Sequence, residues 1–200
     1  EETEKIGALY RELVDLHNEE AQIVGYKDYA DYAYDTLYHD YTPAEAKALT
    51  NDIVTYILPV YRDLCYTLAY ADTTKKLDTV PLINTLYELY KNTDDDFADA
   101  FSYLLQYGLY DIAPAAGNRA DGAFTTYLDL YDSPFIFMTT GGTIEDFLTL
   151  SHEFGHFCDA FVNYDSSTSL DLSETYSQGT ELLTLLKLKT VLSKEDYNAL

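Results

Sequence analysis

The 200-residue sequence has no tryptophan, one methionine and only two cysteines. Two cysteines cannot build the disulfide framework typical of small secreted domains. Cys158 lies in an apolar, helix-like context, so we expect a buried free thiol there, and Cys65 is far away along the chain. Cysteine usage therefore excludes a disulfide scaffold and leaves the redox compartment open.

Positive charge is also scarce: 12 Lys and Arg residues stand against 35 Asp and Glu, a formal net charge of −23. Nucleic-acid backbones and anionic membranes repel such a surface, so we expect neither as a partner. No apolar run approaches the roughly 18 residues that a membrane span requires, and no basic-then-apolar signal peptide opens the chain. The sequence predicts no membrane span.

The residues that are present predict a globular, mainly α-helical chain. Hydrophobic residues make up 47% of the sequence and suit one well-cored domain, with many of the 21 tyrosines half-buried on helices. Apolar spacing predicts a helix over residues 5–24. Thr42, Pro43 and Glu45 form a capping-box pattern that starts a helix running to about residue 71, with a kink at Pro59.

Two more helices are expected before the pattern changes. One spans residues 82–91, and the other starts at Thr93 with Asp96 and ends near Gly108. Proline, glycine and asparagine then mark residues 111–121 as a loop. The sequences of residues 123–128 (AFTTYL) and 134–139 (PFIFMT) are rich in aromatic and β-branched residues, a composition typical of short strands. A small sheet is therefore predicted directly before the next helix.

The segment after Gly142 carries the strongest signal. Thr143 can cap a helix with Asp146 three positions later. One apolar stripe follows at alternating spacings of three and four, consisting of Phe147, Leu150, Phe154, Phe157 and Phe161. His152 and His156 share a different face, one turn apart. The stripe can anchor the helix in the core while both imidazoles point into a cleft.

His152, Glu153, Phe154, Gly155 and His156 form an H-E-x-x-H motif. Imidazoles four residues apart on a helix can bind one tetrahedral zinc ion, and Glu153 lies beside the metal, where it can act as general base. Gly155 permits another element to approach closely. In the alternative interpretation, both histidines are ordinary helix residues with satisfied hydrogen bonds, and Glu153 is solvated. That interpretation would require the cap, the apolar stripe and the motif to agree in register by chance.

A hydrolytic zinc site needs a third protein ligand. Positions 159 and 162 are Asp and Val, so the longer motif with a third histidine is excluded. A helix predicted from about Leu172 carries Glu174, Ser177 and Glu181 on one face. From spacing, Glu174 is the preferred ligand, and Glu181 and Asp171 are alternatives as ligand or as acceptor for a histidine N–H. A solvated charged face is the further alternative.

These residues resemble a known family. The run from Thr149 to His156, followed by a second helix with Glu174, Ser177, Gln178 and Glu181, is similar to the M3 metallopeptidases, which include oligoendopeptidase F, thimet oligopeptidase and neurolysin. Gly122-Ala123-Phe124 and the strand and turn before the zinc helix resemble oligoendopeptidase F in particular. The resemblance covers most of the chain and is most specific over residues 121–181.

The resemblance implies a zincin-like helical peptidase domain with a small β-sheet beside the active-site helix. It implies one Zn²⁺ per chain, bound by His152, His156 and Glu174, with Glu153 as the catalytic base and short peptides as substrates. It also implies that the strand over residues 134–140 pairs with the peptide backbone. The domain expected over residues 1–200 divides into a helical part (1–110), a sheet (about 109–140) and zinc-site helices (about 143–190).

The sequence departs from the family pattern in two respects. Position 159, commonly histidine in the family, is Asp159, so the role of that position does not carry over. Family members also continue past the second helix with histidine and tyrosine residues that stabilise the oxyanion, whereas His17 and His39 lie far upstream and are expected to be ordinary surface or packing residues. The chain is therefore expected to be a fragment, with the missing C-terminal part of the same protein as a candidate partner.

The predicted function is zinc-dependent endopeptidase activity on short oligopeptides, with a metal-activated water and Glu153 as general base. The alternative is a truncated, catalytically weak fragment that binds metal and peptide. A structural zinc domain is less consistent, because such sites use closed four-ligand sets and Cys158 is on the wrong side of the helix. The family suggests a cytoplasmic location, whereas the composition would suit an exported protein. The sequence predicts neither cleavage specificity nor oligomeric state.

Overall fold

The computed structural model describes residues 2–38, 41–68, 82–163 and 169–197, apart from the side chains of residues 38 and 64–68. The chain divides into two compact units, Glu1–Ala69 and Tyr70–Leu200. The predictions made for His39, for the side chain of Cys65 and for a helix end near residue 71 lie outside the described residues. The assignment of the whole chain to one peptidase domain stays a prediction.

The first unit is helical, as predicted. Its helices are α1 (Glu2–Ile23), α2 (Tyr29–Ala33), α3 (Pro43–Asp52) and α4 (Leu58–Leu68). A π-helical turn follows α2 at Tyr34–Tyr38. The predicted capping box is confirmed: the Thr42 N–H donates to Glu45 Oε2 at 2.8 Å, and the Glu45 N–H donates to Thr42 Oγ1 at 3.3 Å. His17 stacks on Tyr29, a packing role of the expected kind.

The helix expected to continue through Pro59 is interrupted one turn earlier than the proline itself. Residues Ile53–Ile57 form a π-helical turn between α3 and α4, in which the Leu58 N–H bonds to the carbonyl of Ile53. Proline has no N–H to offer, and its ring crowds the carbonyl four residues before it. A wider turn at that point relieves the crowding, so the helix is divided by a π turn where a simple kink was expected.

The second unit contains the remaining helices. They are α5 (Leu82–Lys91), α6 (Asp95–Tyr107), α7 (Glu145–Asn163), α8 (Leu170–Leu188) and α9 (Lys194–Tyr197). The bounds predicted for α5 are confirmed, and Gly108 ends α6 with a φ of 61°. The predicted start of α6 is wrong by one residue: Asp94 accepts the N–H of Asp96, whereas the Thr93 hydroxyl donates back to the carbonyl of Leu89.

A three-stranded sheet precedes α7. Its strands are β1 (Tyr110–Pro114), β2 (Ala123–Leu128) and β3 (Ser133–Thr140), in the order β1-β3-β2. Strands β2 and β3 are antiparallel, as neighbouring strands joined by a tight turn should be. Strand β1 corrects the prediction of a loop over residues 111–121: it pairs in parallel with β3, and Pro114 is tolerated because it is the last residue of an edge strand.

The strand order also overturns the expectation that the strand over residues 134–140 pairs with a peptide. Strand β3 is central, with β1 bonded along one side and β2 along the other. A central strand has no unpaired N–H or C=O groups to offer a further strand. Within the described residues, the edges of this sheet are β1 and β2.

The core of the second unit forms around the predicted apolar stripe of α7. Phe147, Leu150, Phe154 and Phe157 are at most 2% exposed. Phe154 contacts the ring of Tyr90 from α5, whose burial raises the pKa of its hydroxyl, and that hydroxyl lies 2.7 Å from Thr184 Oγ1 on α8. This packing fixes α7 against the helices and the sheet. No helix in the described part of the chain is long and apolar enough to cross a membrane.

Candidate metal centre

The turn between β3 and α7 sets the start of the motif-bearing helix. The Asp146 carboxylate accepts the N–H groups of Gly141 (3.0 Å), Gly142 (2.8 Å) and Thr143 (3.2 Å). The carboxylate half of the predicted capping box is therefore present, and the Asp146 N–H bonds to the backbone carbonyl of Thr143. Gly142 has a φ of 69°, a left-handed conformation that residues with a side chain rarely adopt. The chain can thus turn directly from the central strand into α7.

The structure brings His152, His156 and Glu174 together. Glu174 Oε2 lies 3.5 Å from His152 Nε2 and 3.8 Å from His156 Nε2. One ligand atom from each residue lies within 4.8 Å of the other two. Among the alternatives left open by spacing, Glu174 is the carboxylate that both Nε2 atoms face.

These separations suit a zinc ion. Zinc–nitrogen and zinc–oxygen bonds of about 2.0–2.1 Å in a tetrahedron place ligand atoms roughly 3.4 Å apart. The side chains of His152, His156 and Glu174 are 29%, 19% and 39% exposed, so the group faces solvent. Three protein ligands with an accessible fourth position form the arrangement used by catalytic zinc sites.

The other polar atoms of the three residues have partners that orient them. His152 Nδ1 lies 3.3 Å from Glu181 Oε2, and His156 Nδ1 lies 3.1 Å from Ser173 Oγ. The Ser177 hydroxyl donates to Glu174 Oε2 at 2.9 Å. Hydrogen bonds at Nδ1 leave Nε2 of each imidazole to bind a metal. Glu181 therefore occupies the position of an acceptor for a histidine N–H, the second role considered for it.

Asp171 and Asp159 lie outside this group. The Asp171 backbone carbonyl accepts the Thr175 hydroxyl one turn along α8. Asp159, at the position where the resembling family commonly has histidine, is 7% exposed and accepts the Asn163 side-chain N–H at 2.6 Å. The neighbouring Cys158 is a free thiol, as expected, but it is half-buried where a buried thiol was expected. Its partial burial still raises the pKa of the thiol.

Glu153 follows the candidate ligand His152 on α7, and a residue of the sheet holds it. Thr125 Oγ1 on β2 lies 2.8 Å from Glu153 Oε2 and 2.8 Å from the backbone carbonyl of Glu153. Glu153 is 7% exposed, so its carboxylate has a defined position against the strand. Sequence reasoning missed Thr125 and Ser173, because each contacts a residue of another element and no local pattern marks it. Ser177 was placed on one helix face with Glu174, and the structure adds that its hydroxyl bonds to the Glu174 carboxylate.

Gly155 brings the two site helices into direct contact, as expected from its place in the motif. A Cβ atom on Gly155 would lie 2.5 Å from the Cα of Ser177 and 2.8 Å from the carbonyl oxygen of Tyr176. Both are backbone atoms, which cannot move away as the end of a flexible side chain could. This contact sets Glu174, on α8, at the distance that the two histidines of α7 require.

A cleft of about 750 Å³ opens next to His152 and is bordered along α8 by Gln178, Glu181 and Leu182. On the sheet side, β2 presents an edge. The Thr139 N–H donates to the Gly122 carbonyl, so these two residues form a hydrogen-bonded pair next to the β2–β3 ladder. Hydrogen-bonded and non-hydrogen-bonded pairs alternate along an antiparallel ladder, so the N–H and C=O groups of Ala123, Thr125 and Tyr127 point away from β3. The site therefore combines a three-ligand group, a positioned carboxylate, an open cleft and a strand edge.

Comparison with solved structures identifies the fold. A crystal structure assigned as oligoendopeptidase F from Bacillus anthracis strain Ames matches with a TM-score of 0.85 and 23% identity, over 98% of this chain and 40% of that one. PZ peptidase A, solved with an inhibitor, matches with a TM-score of 0.84 and 23% identity, over 98% of this chain and 39% of that one. A 3.1 Å structure assigned as oligoendopeptidase F gives 0.80 and 22%, over 94% and 37%.

No protein-family model and no curated protein sequence matches the chain. The chain spans about 40% of the length of the solved structures that it matches. Nearly all of its residues are included in those matches, which confirms the predicted mainly helical class with a small sheet beside the motif-bearing helix. The chain therefore has the fold of part of the oligoendopeptidase F and PZ peptidase structures.

Proposed function

We propose that this protein is a zinc-dependent endopeptidase that hydrolyses short oligopeptides. His152, His156 and Glu174 would hold one Zn²⁺ per chain, and Glu153 would be the general base. The observation that carries the proposal is the convergence of the three ligand atoms within 4.8 Å. The carboxylate of Glu153, the residue after His152, is not among them and is held by Thr125. The shared fold with peptidase structures supports it.

The residues of the chain have distinct tasks in this proposal. When bound, zinc supplies a Lewis acid that polarises a carbonyl and makes a water molecule more acidic. Glu153 accepts the water proton and passes it to the leaving amine. Because Thr125 Oγ1 contacts Oε2, we assign the proton to the other carboxylate oxygen, Oε1. Glu181 and Ser173 hold the imidazoles at Nδ1 so that their Nε2 atoms face Glu174 and would be left to bind the metal.

The peptide would lie along the free edge of β2. The backbone groups of Ala123, Thr125 and Tyr127 point away from β3 and can pair with an extended chain, whatever its sequence. Thr125 also touches Glu153, so a peptide on this edge passes the general base. This assignment replaces the central strand with its neighbour and keeps short, extended peptides as the substrate class. The expected cytoplasmic location stays a prediction.

The test combines zinc analysis with a cleavage assay on the purified protein. We expect close to one zinc per chain in the parent and in Glu153→Gln, and little zinc in His152→Ala and Glu174→Ala. Cleavage of short peptides should be lost in Glu153→Gln although the metal is retained, because the base is gone and the ligands remain. Lost cleavage with retained zinc separates catalysis from metal binding.

Other outcomes have definite meanings. Full zinc in Glu174→Ala would remove Glu174 as ligand and point to Glu181 or Asp171. Zinc binding without cleavage of any short peptide by the parent would favour the alternative function, a metal- and peptide-binding fragment. A parent that binds no zinc would contradict the proposal.

A further inference from the structure

The outer face of the sheet, away from α7, carries an exposed aromatic stack. Phe124 on β2 is 51% exposed, and its ring stacks on that of Phe137 on β3, with centroids 5.1 Å apart and planes at 17°. The guanidinium carbon of Arg119 lies 4.3 Å from the centroid of Phe137. We refer to Phe124, Phe137 and Arg119 as the aromatic platform. Phe124 differs from a singly exposed apolar residue because its ring is already paired with a second aromatic ring on the neighbouring strand.

Arg119 makes the platform rigid and is not available as a charged ligand group. Its Nη1 donates to both carboxylate oxygens of Asp111 at 3.0 Å, and its Nη2 donates to the backbone carbonyls of Asp111 (2.8 Å) and Met138 (2.9 Å). Its Nε donates to Thr139 Oγ1 at 2.9 Å. The side chain is only 14% exposed. Arg119 therefore ties β1 to β3 and supports Phe137, with its charge balanced by Asp111.

The platform lies next to the edge at which a peptide would pair. Successive side chains of β2 point to opposite faces of the sheet: Thr125 faces α7 and touches Glu153, whereas Phe124 faces outward. A residue paired directly opposite Phe124 on the free edge would project its side chain onto the same outer face, about 4.5–5.5 Å away between Cβ atoms. It would be adjacent in the peptide to the residue passing Glu153.

We propose that the aromatic platform determines substrate specificity by receiving an aromatic side chain of the peptide beside the bond that is cleaved. This inference rests on the proposed function and adds the class of peptide. The ring of Phe124 is already stacked, so a contact with it requires little further ordering of the protein. Cross-strand aromatic pairs are among the favourable ones on a sheet face. The surrounding acidic chain, with a net charge of −23, disfavours acidic side chains there.

The experiment measures peptide binding without turnover. Zinc-loaded Glu153→Gln protein is titrated into a set of fluorescein-labelled peptides of Ala, Gly and Ser, each with one Phe at a different position, and Kd is read by fluorescence anisotropy. We expect one position of Phe to tighten binding by roughly two- to tenfold over the Phe-free peptide. Adding Phe124→Ala should abolish this preference, and Phe124→Leu should retain part of it.

The matched control is Tyr131→Ala. Tyr131 is 75% exposed on the turn of the same hairpin and lies outside the β2–β3 ladder, so the preference should persist. A preference that survives Phe124→Ala would overturn this inference and leave the proposed function standing. If Phe124→Ala weakened the binding of the Phe-free peptide as much as that of the Phe-containing peptide, Phe124 would be a structural residue. That result would also overturn the inference. If the zinc-loaded Glu153→Gln protein, without a further substitution, binds none of the peptides, both proposals fail.

Discussion

The residue that most sharpens the proposed chemistry is Thr125, which comes from the sheet and not from the motif. Its hydroxyl reaches Oε2 and the backbone carbonyl of Glu153, both at 2.8 Å. A glutamate side chain can adopt several rotamers, and only some of them would place an oxygen where it can accept the proton of the water. Thr125 restricts Glu153 without touching the metal ligands, so it is a positioning residue.

We expect Thr125→Val to lower kcat by about tenfold, because a hydrogen bond to a charged group contributes about 1.5–3 kcal/mol and packing retains part of the alignment. The valine has the same shape and lacks the donor. Steady-state kinetics on a short peptide would measure kcat and KM, and Thr125→Ser, which keeps the hydroxyl, is the matched control. Zinc content and KM should change little. An unchanged kcat in Thr125→Val would remove the positioning role.

At this scale, the sequence predicts what one helix carries and misses what a second element contributes. His152, Glu153 and His156 follow from spacing along α7, because helical geometry alone places them. Glu174 required a second predicted helix: spacing already favoured it over Glu181, and the resemblance strengthened that choice. Thr125 lies in a strand far from Glu153 in sequence, and no pattern of spacing could connect the two before the sheet and α7 were packed together.

At the scale of elements, the site depends on the contact of α7 with α8. Gly155→Ala would place a Cβ atom 2.5 Å from the Cα of Ser177, closer than real atoms approach. We expect a loss of about 1–3 kcal/mol or more in the free energy of unfolding, because helix backbones must separate to make room. The same separation would move Glu174 away from the histidines and weaken zinc binding. Urea denaturation and a chelator competition would measure both effects.

The matched control is Gly179→Ala on α8. Gly179 is exposed, and a Cβ atom there would meet nothing within 4 Å. Alanine in a helix interior is more favourable than glycine by about 0.5–1 kcal/mol, so stability should rise slightly. Equal behaviour of the two variants would show that the cost at Gly155 is not a clash between the helices.

The elements also show where sequence patterns lose information. Caps and apolar stripes predicted α5, α7 and the start of α3 because those signals are local. Strand β1 was predicted as loop, since its pairing depends on a parallel neighbour more than twenty residues ahead, at Ile136 and beyond. The same strand order makes β3 central, which is why we assign the proposed peptide-pairing edge to β2. Strand order depends on chain topology, which alternation within one strand does not specify.

For the whole molecule, the excess of acidic residues is relevant to metal binding as well as to the choice of partners. A net charge of −23 raises the local concentration of cations and disfavours anions. The candidate ligands lie on two different helices of the second unit, so they converge only when that unit is folded. Zinc should therefore bind the native state far better than the unfolded chain, and binding should be linked to stability.

This linkage gives a graded prediction for thermal unfolding of the chain. Zinc at 100 times its Kd should add about 2.7 kcal/mol to the stability of the native state and raise Tm in calorimetry. Glu181→Gln weakens the acceptor at His152 Nδ1, so the same rise should require roughly 10–100 times more zinc. His152→Ala removes a ligand and should show no zinc-dependent rise, whereas its Tm in chelator should stay near that of the parent because the side chain is partly exposed. An equal rise in all three proteins would mean that zinc binds elsewhere, and the candidate metal centre would be wrong.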